Sequence, residues 1–152
     1  MIGEVFLMNK NIEILNEYIA NLKVEMNNLM NLAFNVEGSF SFDTQKQVED
    51  YHTTLLQFVK KLEERIKMLG GFPVTNLLKI EELSQIKSMQ SREYSKQQVL
   101  DVLVNDFSYL KEYTKDLIKY FSDEFDPYTS HLLLDILIFL EQELYRNQIC
   151  LK

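Results

Sequence analysis

The chain has 152 residues, 46% of them hydrophobic, with 16 basic against 23 acidic side chains and a formal net charge of -7. That apolar fraction excludes wholesale disorder, and only 4 Gly and 2 Pro exclude both an all-β sandwich with its frequent turns and a Gly-rich phosphate loop. The basic residues form no cluster beyond Lys60-Lys61, which argues against a nucleic-acid-binding face.

In chain order, Met1 to Lys10 holds a short apolar patch, Val5 to Met8. It has no basic region ahead of it and no small-residue cleavage site, so it does not read as a signal peptide. A first long helix is expected over 9–36, where Ile12, Leu15, Ile19, Leu22, Met26, Leu29 and Ala33 alternate spacings of three and four. Gly38 closes it, in a loop reading Gly-Ser-Phe-Ser-Phe. A second is expected over 43–69, carried by Val48, Tyr51, Leu55, Phe58, Leu62, Ile66 and Leu69 and stopped by Gly70-Gly71 with Pro73 beyond. A short helix is expected over 76–84. The third long helix, 96–122, has Leu100, Leu103, Phe107, Leu110, Thr114, Leu117 and Phe121 on one face, and Ser95 with Gln98 forms a capping box ahead of it. The fourth, 127–148, opens with Asp126 as N-cap and Pro127 at the first helical position.

Alternation with period two is not sustained anywhere, so strands are not expected. A short helix inside a connection of about 25 residues marks a crossover in a helical bundle. The plan is an all-α four-helix bundle forming one domain over 1–152. From Leu132 to Leu140 the last helix is apolar almost all round. Such a helix is buried on more than one side, at a subunit interface or as a central helix. The stretch is broken by Asp135 and too short to span a membrane, so the expectation is a soluble, cytoplasmic protein with no membrane partner.

Site chemistry is bounded by scarcity. Cys150 is the sole cysteine, which rules out an internal disulfide and a Cys-rich zinc site; it is expected beyond the last helix, as a free thiol or an intersubunit contact. With only His52 and His131, one chain cannot build a three-His site. Glu49-x-x-His52 has the spacing used by larger di-iron bundles, either as ligands or as a polar contact at a helix surface. Asp123, Glu124 and Asp126, with His131 and Asp135 following, form an acidic cluster near the start of the last helix. Acids there also stabilise a helix N-terminus.

Several stretches resemble one family. Asn35-Val36-Glu37-Gly38 with Phe40 and Phe42, the run Glu64-Arg65-Ile66-Lys67-Met68-Leu69-Gly70-Gly71-Phe72-Pro73, and the short helix ending in Leu83-Ser84 before Ile86-Lys87 are similar to the Dps proteins (DNA-binding protein from starved cells), the mini-ferritins. The resemblance covers about residues 10 to 150. It implies a ferritin-like four-helix bundle with a short helix between helices two and three. It also implies a homo-oligomeric shell of twelve subunits and a ferroxidase site between two subunits. In that site two histidines and an acid come from one subunit, and an Asp with a Glu four residues later comes from the other. Carboxylates are hard oxygen ligands for iron, and imidazoles complete the set.

At those positions this sequence departs from the family. The histidine positions hold Ala33 and Gln45, and the acid survives as Glu49. The partner-side Asp is Lys60, and its companion Glu64 is kept. Two of the five ligand positions remain, both carboxylates. Lys60 at four residues from Glu64 can form an ion pair with it and supplies locally the positive charge that iron would bring. The expectation is therefore iron bound weakly, through Glu49 and Glu64, with weak or absent ferroxidase activity. The resemblance also places Asp126 near an acid-lined three-fold pore, as an alternative to its capping role. Tyr145 falls where the family often has Trp, as an electron donor or as packing. DNA binding is not expected, because twelve copies at -7 total about -84, and such a shell repels phosphates. The function so implied is iron sequestration and oxidative-stress protection; the alternative is a non-enzymatic structural or binding cage that has lost iron chemistry.

Overall fold

The computed structural model describes residues 2–38 and 41–151. It is all-α: α1 (Ile2–Asn35), α2 (Ser41–Met68), α3 (Leu77–Leu83), α4 (Lys96–Asp123) and α5 (Pro127–Leu151). The chain divides into two compact units, Met1–Asn31 with Gln47–Ser91, and Leu32–Lys46 with Arg92–Lys152.

In the first unit, Leu15, Tyr18, Ile19, Leu22 and Leu29 of α1 and Val48, Tyr51, Leu55, Leu62 and Ile66 of α2 are buried. The buried stripe of α2 passes through Val59 rather than Phe58, which is half-buried. α1 begins at Ile2, seven residues ahead of the expected start. Glu4, Leu7, Met8 and Lys10 are good helix formers there, and Glu4 lies in the first turn, where the helix dipole favours an acid. Residues 2–10 are all exposed. The helix is thus extended by propagation, which is cheap once a packed helix exists.

α2 ends as its glycines require. Gly71 N–H donates to Ile66 O (2.9 Å) and Gly70 N–H to Lys67 O (3.0 Å), with Gly70 in the left-handed region at φ 89°. This is a Schellman cap. Gly71 is needed for a different reason: a Cβ there would lie 2.8 Å from the Ile12 side chain.

The connection from α2 to α4 is strapped to α1 by asparagines. Asn16 donates to Phe72 O (3.0 Å) and accepts from Val74 N–H (2.8 Å). Asn21, fully buried, accepts from the N–H groups of Gln85 (3.0 Å) and Ile86 (3.2 Å), while the nearby Ser84 hydroxyl donates to Ile86 O (2.5 Å). Asn28 donates to Lys87 O (3.0 Å) and accepts from Met89 N–H (2.9 Å). Asn31 donates to Gln90 O (3.1 Å). Lys23 adds an ion pair to Glu63 (3.0 Å) and a bond to Val74 O (2.6 Å). Irregular backbone beside a helix must find partners for its polar groups, and α1 supplies them from side chains.

Within this connection Asn76 caps α3, accepting from Lys79 N–H (3.0 Å). Glu81 accepts from Ser88 Oγ (2.7 Å) and Ser88 N–H (3.3 Å). The Ser88 hydroxyl above all, with the Ser88 amide and the charge of Lys87, holds the Glu81 carboxyl below the usual glutamate range. A carboxyl depressed in the folded state stabilises above its unfolded pKa, and that contribution is lost as pH falls through the depressed value. Exchange of the Ser88 amide hydrogen is therefore expected to be protected at neutral pH and to lose protection, relative to intrinsic exchange, only below the ordinary glutamate range. A Glu81→Gln chain should lack that step; protection that is flat with pH in the parent would contradict it.

In the second unit, α4 buries Val99, Leu103, Phe107, Leu110, Thr114, Leu117 and Phe121, and α5 buries Leu133, Ile136, Leu140 and Leu144. Val99 takes the buried place expected of Leu100, which is half-buried. Thr114 sits in the core without penalty because its Oγ1 donates to Leu110 O (2.6 Å). The Phe107 and Phe139 rings meet at 6.0 Å. Ser95 and Gln98 make the expected capping box, and Val36 bridges to Tyr94. α5 leaves Leu134 (43%) and Ile138 (47%) exposed. It also runs on to Leu151, so Cys150 lies within the helix and is exposed, not beyond the helix end as expected. Of the Gly-Ser-Phe-Ser-Phe segment, Ser39 and Phe40 lie outside the described residues, and α2 starts at Ser41.

Candidate metal centre

Two regions hold the residues singled out by sequence. The first is α2. Gln45 and Glu49 lie one turn apart and are half-buried, as is His52; Lys60 and Glu64, also one turn apart, are exposed. Ala33 of α1 is 1% exposed and presents only a methyl group. Glu49 and Glu64 are fifteen residues apart on one continuous helix, which separates them by about 22 Å at 1.5 Å per residue. The two carboxylates therefore cannot share an ion within one chain. Among the described residues no three His, Cys, Asp or Glu side chains gather to hold a metal.

The ion pair expected between Lys60 and Glu64 is not formed among the described residues; the neighbouring Glu63 pairs with Lys23. Both Lys60 and Glu64 extend into solvent, where an i,i+4 pair is worth only about 0.3–0.5 kcal/mol and side-chain entropy competes with it. Chemically, this face offers single carboxylates to a hard cation. A lone carboxylate holds such an ion weakly, since affinity grows with ligand number and charge.

The second region is the α4–α5 junction. Asp126 caps α5: its Oδ1 accepts from Thr129 N–H (3.0 Å) and its Oδ2 from Thr129 Oγ1 (2.5 Å). The turn before it repeats the cap at the end of α2. Asp126 N–H donates to Phe121 O (2.9 Å) and Phe125 N–H to Ser122 O (3.1 Å). Here, however, the left-handed residue is Phe125, at φ 55°, and its side chain is 91% exposed. Beside it lies a cavity of about 620 Å³ lined by Ile118, Ser122, Phe125, Pro127, His131 and Leu134, with Asp126 and Ser130. His131 Nε2 stands 3.8 Å from Asp135 Oδ2, both substantially exposed. Tyr145 is 65% exposed, so its ring is not a core residue of this chain.

Sequence reasoning missed the asparagine strap and the conformation of Phe125. The strap had one visible signal, the eight asparagines of α1, four of which form it. Phe125 had none, because a left-handed position is normally announced by Gly or Asn.

Comparison with known proteins places this geometry. Residues 12–147 match the family described as Ferritin-like domain. The chain is 28% identical over 138 residues to DNA protection during starvation protein 2 of Bacillus anthracis, covering 89% of this chain and 92% of that protein. The crystal structure of a Dps protein from Bacillus brevis superposes with a TM-score of 0.90 at 26% identity, covering 95% of this chain and 97% of that one. That of the Vibrio cholerae Dps protein, described as a member of a broad superfamily of ferritin-like diiron-carboxylate proteins, gives 0.90 at 25% identity over 95% and 91%. The fold is the ferritin-like four-helix bundle with a short helix, α3, between its second and third long helices.

Proposed function

The chain belongs to the ferritin-like family, in its Dps or mini-ferritin branch, and on that premise we propose that it builds a homo-oligomeric shell, of twelve copies, that sequesters iron and protects against oxidative stress with weak or absent ferroxidase activity. Residues 1–152 act as one domain in this reading. Iron is cargo, and Fe(II) oxidation would require each ion to pass one electron to oxygen or peroxide while held by several ligands.

The observation that carries the weak-ferroxidase reading is the donor set itself. Ala33 has no donor atom, Gln45 offers a neutral amide, and Lys60 brings an exposed ammonium to the helix face that also carries Glu64. An ammonium cannot ligate without losing its proton and repels a dication nearby. Glu49 and Glu64, from different copies, are the residual iron ligands. Their separation along α2 means that assembly must bring them together. Asp126 lies on the cavity beside the α4–α5 turn, where three copies around an axis would draw cations toward the shell. Its two hydrogen bonds to Thr129 support the capping role directly.

The same observation favours the second reading, a structural or binding cage without iron chemistry. We place the protein in the cytoplasm; no helix among the described residues is long and apolar enough to cross a membrane. DNA binding is not part of the reading, since the acidic surface opposes phosphate contacts.

Fe(II) oxidation by the assembled protein, with oxygen and then with peroxide, tests both readings. The expected rate lies close to that of a protein-free blank. A rate well above it that falls on Glu64→Ala would overturn the weak-site reading. Retention of added iron through gel filtration separates sequestration from an iron-free cage.

A further inference from the structure

We propose that the Phe125 ring is a knob that inserts into the apolar cavity beside Pro127 on a neighbouring copy of this chain. The inference rests on the shell reading above and names one of its contacts.

The conformation of Phe125 is the starting point. The two helix ends at Gly70 and Phe125 have the same hydrogen-bond pattern, and both put their central residue in the left-handed region. Glycine occupies the first, as steric cost demands. At the second, a bulky aromatic residue takes a backbone conformation that disfavours it and presents its ring to solvent at 91% exposure. Strain of this kind, held where an easier residue would serve, points to a role for the side chain.

The surface around the ring identifies the occupant. The adjoining cavity, about 620 Å³, is lined on its apolar side by Ile118, Pro127, Leu134 and Phe125 itself, and is roomy enough for a phenyl ring. Tyr128 (48%), Leu134 (43%) and Ile138 (47%) continue the apolar surface along α5. One copy therefore carries both the knob and a hole of which that knob forms one wall, and a head-to-tail contact of that type makes a ring where the rotation between copies closes. An aromatic side chain brings roughly 150–250 Å², so the patch reaches on the order of 400 Å², about half of what each partner of a stable two-body complex buries. That area is too small to hold an isolated dimer and fits one contact among several in a closed assembly. Asp126 lines the cavity, Asp123 and Glu124 immediately precede Phe125 in the chain and Asp135 stands beside His131, so like charges oppose the contact and added salt favours it.

The chain has no Trp, so Phe125→Trp makes a single reporter of the ring's surroundings. On assembly, followed by sedimentation across a dilution series, its emission is expected to shift to the blue. Phe125→Gly and, from the hole side, Leu134→Glu are expected to raise the concentration at which the assembly dissociates about tenfold or more, as truncation of an interface hot spot does. Helix content should be unchanged, since Gly is the natural residue at this cap. Phe125→Gly assembling at the parent concentration, or a Trp that stays solvent-exposed in the assembled protein, would overturn the knob and leave the shell. A parent chain that remains an 18.1 kDa monomer at all concentrations would sink the shell and the knob together. A blue shift on phosphatidylcholine vesicles but not on assembly would assign the ring to a lipid surface instead.

Discussion

Asn21→Leu is expected to destabilise the chain by about 3 kcal/mol, since it leaves the buried Ile86 N–H without its acceptor at about 1–3 kcal/mol and overpacks a fully buried position at about 1–3 kcal/mol. Leu has the same branched outline but is larger than Asn, so packing is strained as well. What is lost is the oxygen that accepts from Gln85 and Ile86, in a place where Asn21 is fully buried and Ile86 is 8% exposed. The Ile86 N–H is then buried without a partner, whereas Gln85 is exposed and its N–H can turn to water. For a domain of this size the melting temperature should fall by about 6–12 °C. Denaturant unfolding at one fixed protein concentration measures the change, because assembly would otherwise shift the midpoint. Asn27→Leu is the control: Asn27 is exposed on the same helix, and its replacement should stay within about 0.5 kcal/mol. Hydrogen exchange should localise the damage, with the amides of Gln85 and Ile86 exchanging faster in Asn21→Leu. Equal stability of the two variants would mean that the strap follows the fold without holding it.

The second large effect is a gain. On the proposed ligand set, the triple variant Ala33→His, Gln45→His, Lys60→Asp is expected to oxidise Fe(II) at least about tenfold faster than the parent, because it would add two imidazoles and one carboxylate to Glu49 and Glu64. Lys60→Asp alone should give part of the gain by removing the cation and adding a ligand. The two histidines alone should give little while Lys60 remains. Ala33→His places a ring where a methyl group is 1% exposed, which should cost about 1–3 kcal/mol through overpacking. Mass and helix content must therefore be checked beside the rate. A triple variant that assembles normally yet oxidises iron no faster than the parent would show that the missing donors do not limit the chemistry.

The sequence by itself determined the helix plan. Spacings of three and four, the Ser95–Gln98 box, Asp126-Pro127 and Gly70-Gly71 are all local signals, and the helices they mark are present. The chemistry of the proposed donor positions needs no fold to be read: Ala33 and Lys60 lack a metal-binding atom at neutral pH whatever surrounds them. Only the tertiary structure decided which of two adjacent apolar residues is buried, Val59 over Phe58 and Val99 over Leu100, because helical periodicity tolerates a shift of one residue and packing does not. It alone decided that four asparagines of α1 hold a segment 56 to 65 positions away, since no local rule links residues so distant in the chain. It alone put Phe125 into a glycine's conformation, where the short link from α4 to α5 forces the turn and the side chain's identity has no say.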